Sequence, residues 1–181
     1  MTFYARNLPH WQPEGADIFI TWRLYGSLPS TMKIPKQSES AGERFRRFDL
    51  ELDLVGSGPV WLKHPRIAKC VIEALAKGQS REMFRLHSYV VMANHVHVLI
   101  EPHAPISRIT QWIKGATARN ANMILGRSGN HFWQDESFDR WIRNTQQWSL
   151  VKTYIEKNPV TAGLVEAAKD WPWSSASRPI L

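Results

Sequence analysis

The chain has 181 residues, 43% of them hydrophobic and 22% charged, which fits one folded domain and excludes intrinsic disorder as the main state. No run of about 18 apolar residues is present, which excludes a membrane-spanning helix; the first residues lack the apolar centre of a signal peptide, so the cytoplasm is the expected compartment. Twenty-three Lys and Arg against 16 Asp and Glu leave a formal charge of +7, and a basic domain of this size favours a polyanionic partner, nucleic acid first.

In chain order, residues 16–25 are β-branched and aromatic between Pro13-Glu14-Gly15 and Gly26. They predict a strand with Ile18, Ile20, Trp22 and Leu24 on one face. Residues 28–37, with Pro29 and Pro35, read as a loop. From about Ser38 to Val55, Phe45, Phe48, Leu52 and Val55 recur at helical spacing, with Arg44, Arg46, Arg47 and Glu51 between them. A second helix is expected over Pro65–Lys77, opened by Pro65 and stopped at Gly78. Its stripe is Ile67, Cys70, Val71, Ala74 and Leu75; Cys70 is the single cysteine, so an internal disulfide is excluded. Two strands follow, about Met83–Met92 and His95–Glu101. Ala93-Asn94 between them suits a tight turn, Asn94 tolerating a positive φ. A third helix after Pro105 turns Ile106, Ile109, Trp112, Ile113, Ala116, Met123 and Ile124 inward and stops at Gly126. Residues 132–144 carry no clear period. The last helix, about Gln147–Lys157, ends near Asn158 because Pro159 follows. Most of the nine Trp residues are expected in the core, Trp171 and Trp173 included. With no internal repeat, residues 1–181 read as a single domain. It is an α+β domain, an antiparallel sheet with helices packed on one face.

His95-Val96-His97 lies in an apolar run, Val98-Leu99-Ile100. On a strand, the period of two turns both imidazoles to one face. Two imidazoles so placed either form a solvated polar pair or make half of a divalent-metal site, which needs a further ligand. Tyr154 and Asn158 are four residues apart, on one face of a helix. An Asn oxygen can ligate a hard cation, and a tyrosine beside it can present a phenolate to a phosphate. Equally, Tyr at a helix core edge and Asn before Pro are ordinary features.

Together these elements resemble the HUH single-tyrosine transposases, most closely their REP-associated branch. The resemblance runs through most of the chain: Gly15–Leu24, Tyr89–Leu99, Trp133-Gln134, Asp139–Arg143, Tyr154–Val165 and Trp171–Ala176. Ala93 stands where that family usually has Pro, a change in turn stiffness rather than chemistry. The resemblance implies a ferredoxin-like or RRM-like HUH fold, with His95, His97 and Asn158 as ligands of Mg2+ or Mn2+ and Tyr154 as nucleophile. It implies a single-stranded DNA endonuclease and strand transferase acting on REP-type palindromic hairpins through a 5′-phosphotyrosine intermediate. The protein would act at the nucleoid, as a monomer rather than a dimer. Arg44, Arg46, Arg47, Lys114, Arg119, Arg127, Arg140 and Arg143 are the candidate DNA contacts, each also readable as a solvated surface cation. The alternative is a catalytically silent hairpin-DNA-binding protein of the same fold; a hydrolase of small phosphoesters fits the basic charge and Trp content less well.

Overall fold

The computed structural model describes the backbone of residues 2–5 and 9–12, and residues 15–28, 52–53 and 58–179. Two short strands, β1 (Thr2–Ala5) and β2 (Pro9–Gln12), pair antiparallel. The main body follows as β3 (Ile18–Arg23), α1 (Pro65–Ser80), β4 (Phe84–Val91), β5 (His95–Pro102), α2 (Ile106–Ile124) and β6 (Phe138–Trp141). The helix α3 (Thr145–Thr161) comes last. The sheet order is β4-β5-β3-β6, and every pairing is antiparallel. That β-α-β-β-α-β path and strand order are those of a ferredoxin-like fold, as expected.

Strand alternation divides the sheet into two unlike faces. Ile18, Ile20, Trp22 and Leu24 from β3 and its extension join Val96, Val98 and Ile100 from β5 on one face, under α1 and α2. Phe19, Val90, Met92 and Leu99 point the other way and pack with Ile155 and Val151 of α3. The ferredoxin-like helix pair thus sits on one face, and the third helix crosses the opposite one.

Several local expectations shift for reasons of packing. The second expected helix runs on to Ser80, and Gly78 lies inside it rather than at its stop. A Cβ at Gly78 would meet the Phe84 ring at 2.5 Å, so the missing side chain serves close contact with β4. Met123 of α2 is 67% exposed rather than inward, while Thr117 and Asn122 are buried. Asn94 does not adopt a positive φ; among described non-glycine residues only Glu82 does, at 55°. The segment without a clear period contains β6, a four-residue edge strand completed by pairing with β3.

The last helix begins two residues before the expected start. The Asn144 side chain accepts from the Gln147 amide at 2.8 Å and caps it. It also continues past Pro159, which removes the amide that would bond the Ile155 carbonyl. Burial of Ile155, Asn158 and Pro159 against the sheet holds the segment helical. The stop is Gly163, at φ 68°, where Leu164 N–H bonds the Pro159 carbonyl and Gly163 N–H bonds that of Val160. This is a Schellman closure.

Residues 171–178 run along the outer edge of β4. Val91 N–H donates to the Trp173 carbonyl, Ser175 N–H to that of Tyr89, and the Trp171 indole to that of Val91. The tail covers a sheet edge that would otherwise be open to pairing. Trp171 and Trp173 are half-buried and pack against the two cores, as expected. The expected helix over 38–55 falls outside the described residues, except that residues 52–53 are helical.

Candidate active site

The histidines lie on β5, directly opposite β3: His95 faces Arg23 and His97 faces Thr21. Cross-strand partners share a face, so Thr21, Arg23 and the two imidazoles all look toward α3. The imidazole rings are 4.6 Å apart at 70°. The Tyr154 ring is 5.8 Å from that of His97 and 6.2 Å from Phe19, with Phe19 stacked on His97 at 5.6 Å. Asn158 follows one helical turn after Tyr154. Residues distant in sequence therefore converge, and the solvated-pair alternative does not apply: His95, His97 and Asn158 are 1%, 0% and 2% exposed. The Tyr154 hydroxyl oxygen, the Asn158 amide oxygen and both histidine Nε2 atoms are enclosed by protein.

A chain of hydrogen bonds orients the first imidazole. The Asn94 amide nitrogen donates to the Leu52 carbonyl at 3.0 Å, which turns Asn94 Oδ1 toward His95 Nδ1, 2.7 Å away. An amide oxygen only accepts, so His95 Nδ1 carries the proton and Nε2 presents a lone pair. His97 Nδ1 is held by the Thr21 hydroxyl at 2.7 Å. His95 Nε2 lies 3.9 Å from Asp53 Oδ1, which brings a carboxylate to the pair. Two imidazoles held by neighbouring side chains, an amide oxygen and a nearby carboxylate form a mixed nitrogen and oxygen donor set. That set fits a divalent cation.

The candidate DNA contacts are spread over the molecule. Arg44, Arg46 and Arg47 lie outside the described residues. Arg140 on β6 pairs with Phe19 and so shares the histidine face. Burial, with Arg143 nearby, lowers its pKa below the ordinary arginine value, though an arginine stays charged in such a place. Arg143 lies over the Trp141 ring at 5.3 Å. Arg127 stacks on Trp61 at 3.9 Å. Lys114 on α2 donates to the carbonyls of Gln134 and Asp135, each at 3.0 Å, and so fastens the loop before β6. Arg119 is exposed on the same helix, in the layer across the sheet from Tyr154.

Sequence reading singled out neither Asp53 nor Arg23 as a site residue. Asp53 reaches the pair only through folding and had no local signal. Arg23 did have one: it alternates with Ile20, Trp22 and Leu24, so with Thr21 it falls on the face of β3 opposite the apolar stripe. Burial lowers its pKa as well, and its guanidinium donates to the Ser27 hydroxyl at 3.2 Å.

The family model described as transposase IS200-like matches residues 60–158, a stretch that holds both histidines, the tyrosine and the asparagine. The chain is 26% identical over 110 residues to the REP-associated tyrosine transposase of Escherichia coli (strain K12), across 59% of this chain and 63% of that protein. It thus spans less than two thirds of that relative's length. A solved REP-associated tyrosine transposase bound to a REP hairpin matches with a TM-score of 0.58 at 19% identity, covering 100% of this chain and 88% of the other. That likeness shows the fold. No helix among the described residues is long and apolar enough to cross a membrane.

Proposed function

The chain belongs to the IS200-like transposase family, and from that premise we propose that it nicks and rejoins single-stranded DNA beside a palindromic hairpin, with Tyr154 as nucleophile. The observation that carries the reading is the Tyr154 ring 5.8 Å from His97, itself beside His95. The REP-hairpin complex of the structural neighbour supports a hairpin as the partner.

Attack by the Tyr154 oxygen on a backbone phosphorus forms one P–O bond as the bond to the 3′ oxygen breaks. The phenol gives up its proton and the departing oxygen takes one. The products are a 5′-phosphotyrosine and a free 3′-hydroxyl. Return of a 3′-hydroxyl reverses the exchange, so strands rejoin without ATP. Tyrosine suits a reversible link because its phenol, with an ordinary pKa of about 10, leaves more readily than an alkyl alcohol.

His95, His97 and Asn158 would hold the divalent ion, Mg2+ or Mn2+, with Asp53 beside them. When bound, the ion supplies charge stabilisation at a non-bridging phosphate oxygen. Thr21 and Asn94 hold the imidazoles in orientation. Arg23 and Arg140 add positive charge on the same face, where a phosphodiester must lie. Phe19 packs against both the Tyr154 and His97 rings and fixes the tyrosine ring.

The test is incubation with labelled hairpin single strands and Mg2+ or Mn2+. A protein–DNA adduct that survives denaturation, needs metal and disappears in Tyr154→Phe supports the transferase. Hairpin binding without an adduct across a varied hairpin library moves the reading to a silent binder.

A further inference from the structure

Farther along the same strands, three side chains unused by the chemistry above come together. Asp17 immediately precedes β3, His87 sits on β4 and Glu101 on β5. One ligand atom from each lies within 4.8 Å of the other two. His87 is the extra residue of a β-bulge, the register passing from Leu86–Ile100 to Ser88–Leu99. Such bulges re-aim a side chain, and here the imidazole Nε2 comes 3.1 Å from Asp17 Oδ1. Alternation puts Asp17 with Phe19, and Glu101 with Leu99, on the face that carries His97. Four residues of strand separate Glu101 from His97, roughly 13 Å. The cluster is therefore separate from the histidine pair.

We propose that Asp17, His87 and Glu101 form a second divalent-metal site, with zinc as its preferred ion. Two carboxylates this close repel unless positive charge lies between them. The His87 contact serves only Asp17, and Glu101 has no hydrogen bond or ion pair among the described residues. One imidazole and two carboxylate oxygens suit a borderline cation, and the general affinity order places Zn2+ above Mn2+. All three residues are half-buried. A cavity of about 390 Å³, lined by Arg143, Asn144 and Trp148 among others, opens beside Asp17. The three ligands come from one end of three adjacent strands, and the Trp148 ring of α3 packs on His87 at 5.4 Å.

The inference stands apart from the transferase reading and is tested without it. The full chain carrying His95→Ala and His97→Ala, freed of metal, is titrated with Zn2+ by calorimetry. One equivalent is expected to bind. Adding Glu101→Gln, which keeps the side chain's shape, should weaken that binding at least tenfold, and His87→Ala should abolish it. Far-UV circular dichroism of the metal-free proteins checks that each is folded. Should the double histidine variant not fold, the unaltered chain is compared with His87→Ala, which should bind one equivalent fewer. No zinc in the double variant, or equal binding after Glu101→Gln and His87→Ala, overturns the proposal.

Discussion

The two faces of the sheet are built from alternate residues of the same strands, yet they do different work. Under α1 and α2, Ile18, Ile20, Val96, Val98 and Ile100 make an apolar layer of branched side chains. Under α3 the layer interleaves apolar residues with buried Thr21, His95, His97 and Asn158. Each buried polar group there needs a fixed partner, because an unmet one costs about 1–3 kcal/mol. The first face is a store of stability, and the second draws on it to hold polar groups in place. The tyrosines show the contrast. Tyr89, on the first face, donates to the Arg178 carbonyl at 2.7 Å, and burial pushes its pKa up to about 12. Tyr154, on the second, has its ring edge-on to both Phe19 and His97.

The sharpest way to separate the faces is Tyr154→Phe. It should remove adduct formation outright while leaving the melting temperature within a few degrees of the parent, read by denaturing gel and calorimetry. The converse is Leu75→Ala on α1, fully buried on the first face. It should cost about 2–5 kcal/mol in denaturant unfolding, and the adduct formed per folded molecule should be unchanged. Asn94→Ala acts between the two. It removes the group that orients His95, and metal affinity by calorimetry should fall about 10–100-fold. Gly78→Ala is smaller. Alanine is ordinarily worth up to about 1 kcal/mol in a helix interior, but here its methyl group meets the Phe84 ring. A crowding cost of about 1–3 kcal/mol should outweigh that gain, so unfolding shows a net loss.

The least effect is a pH dependence confined to the first face. A tyrosine whose pKa is 10 when unfolded and about 12 when folded binds its proton more tightly in the native state. Its contribution is complete below pH 10 and is lost as pH rises toward 12. Thermal melts across that window should fall less steeply for Tyr89→Phe than for the parent.

Most of this division was legible in the sequence, because alternation is local. Ile18, Ile20 and Trp22 announced one face of β3, and His95-Val96-His97 put two imidazoles together on the other. Elements that depend on distant partners were not. The edge strand β6 has only Phe138, Asp139, Arg140 and Trp141, and pairing with β3 supplies what its polar composition does not. Pro159 looked like a helix end by local rules, but burial of the turn around it outweighed the lost hydrogen bond. Spacing puts the tyrosine and the asparagine on one helix face, and the family resemblance is what singles them out. Asp53 is not singled out, since nothing near it in the chain points to His95. Gly78 carried a stop signal in sequence and a packing role in space.

The link from Leu52 through Asn94 to His95 has a consequence for this face of the sheet. The peptide whose carbonyl fixes the Asn94 side chain is next to Asp53, which lies over the same imidazole. Any movement that shifts residues 52 and 53 away from the imidazole also releases the amide that sets the orientation of His95. The cover over that imidazole and its orientation are thereby tied to one short piece of backbone.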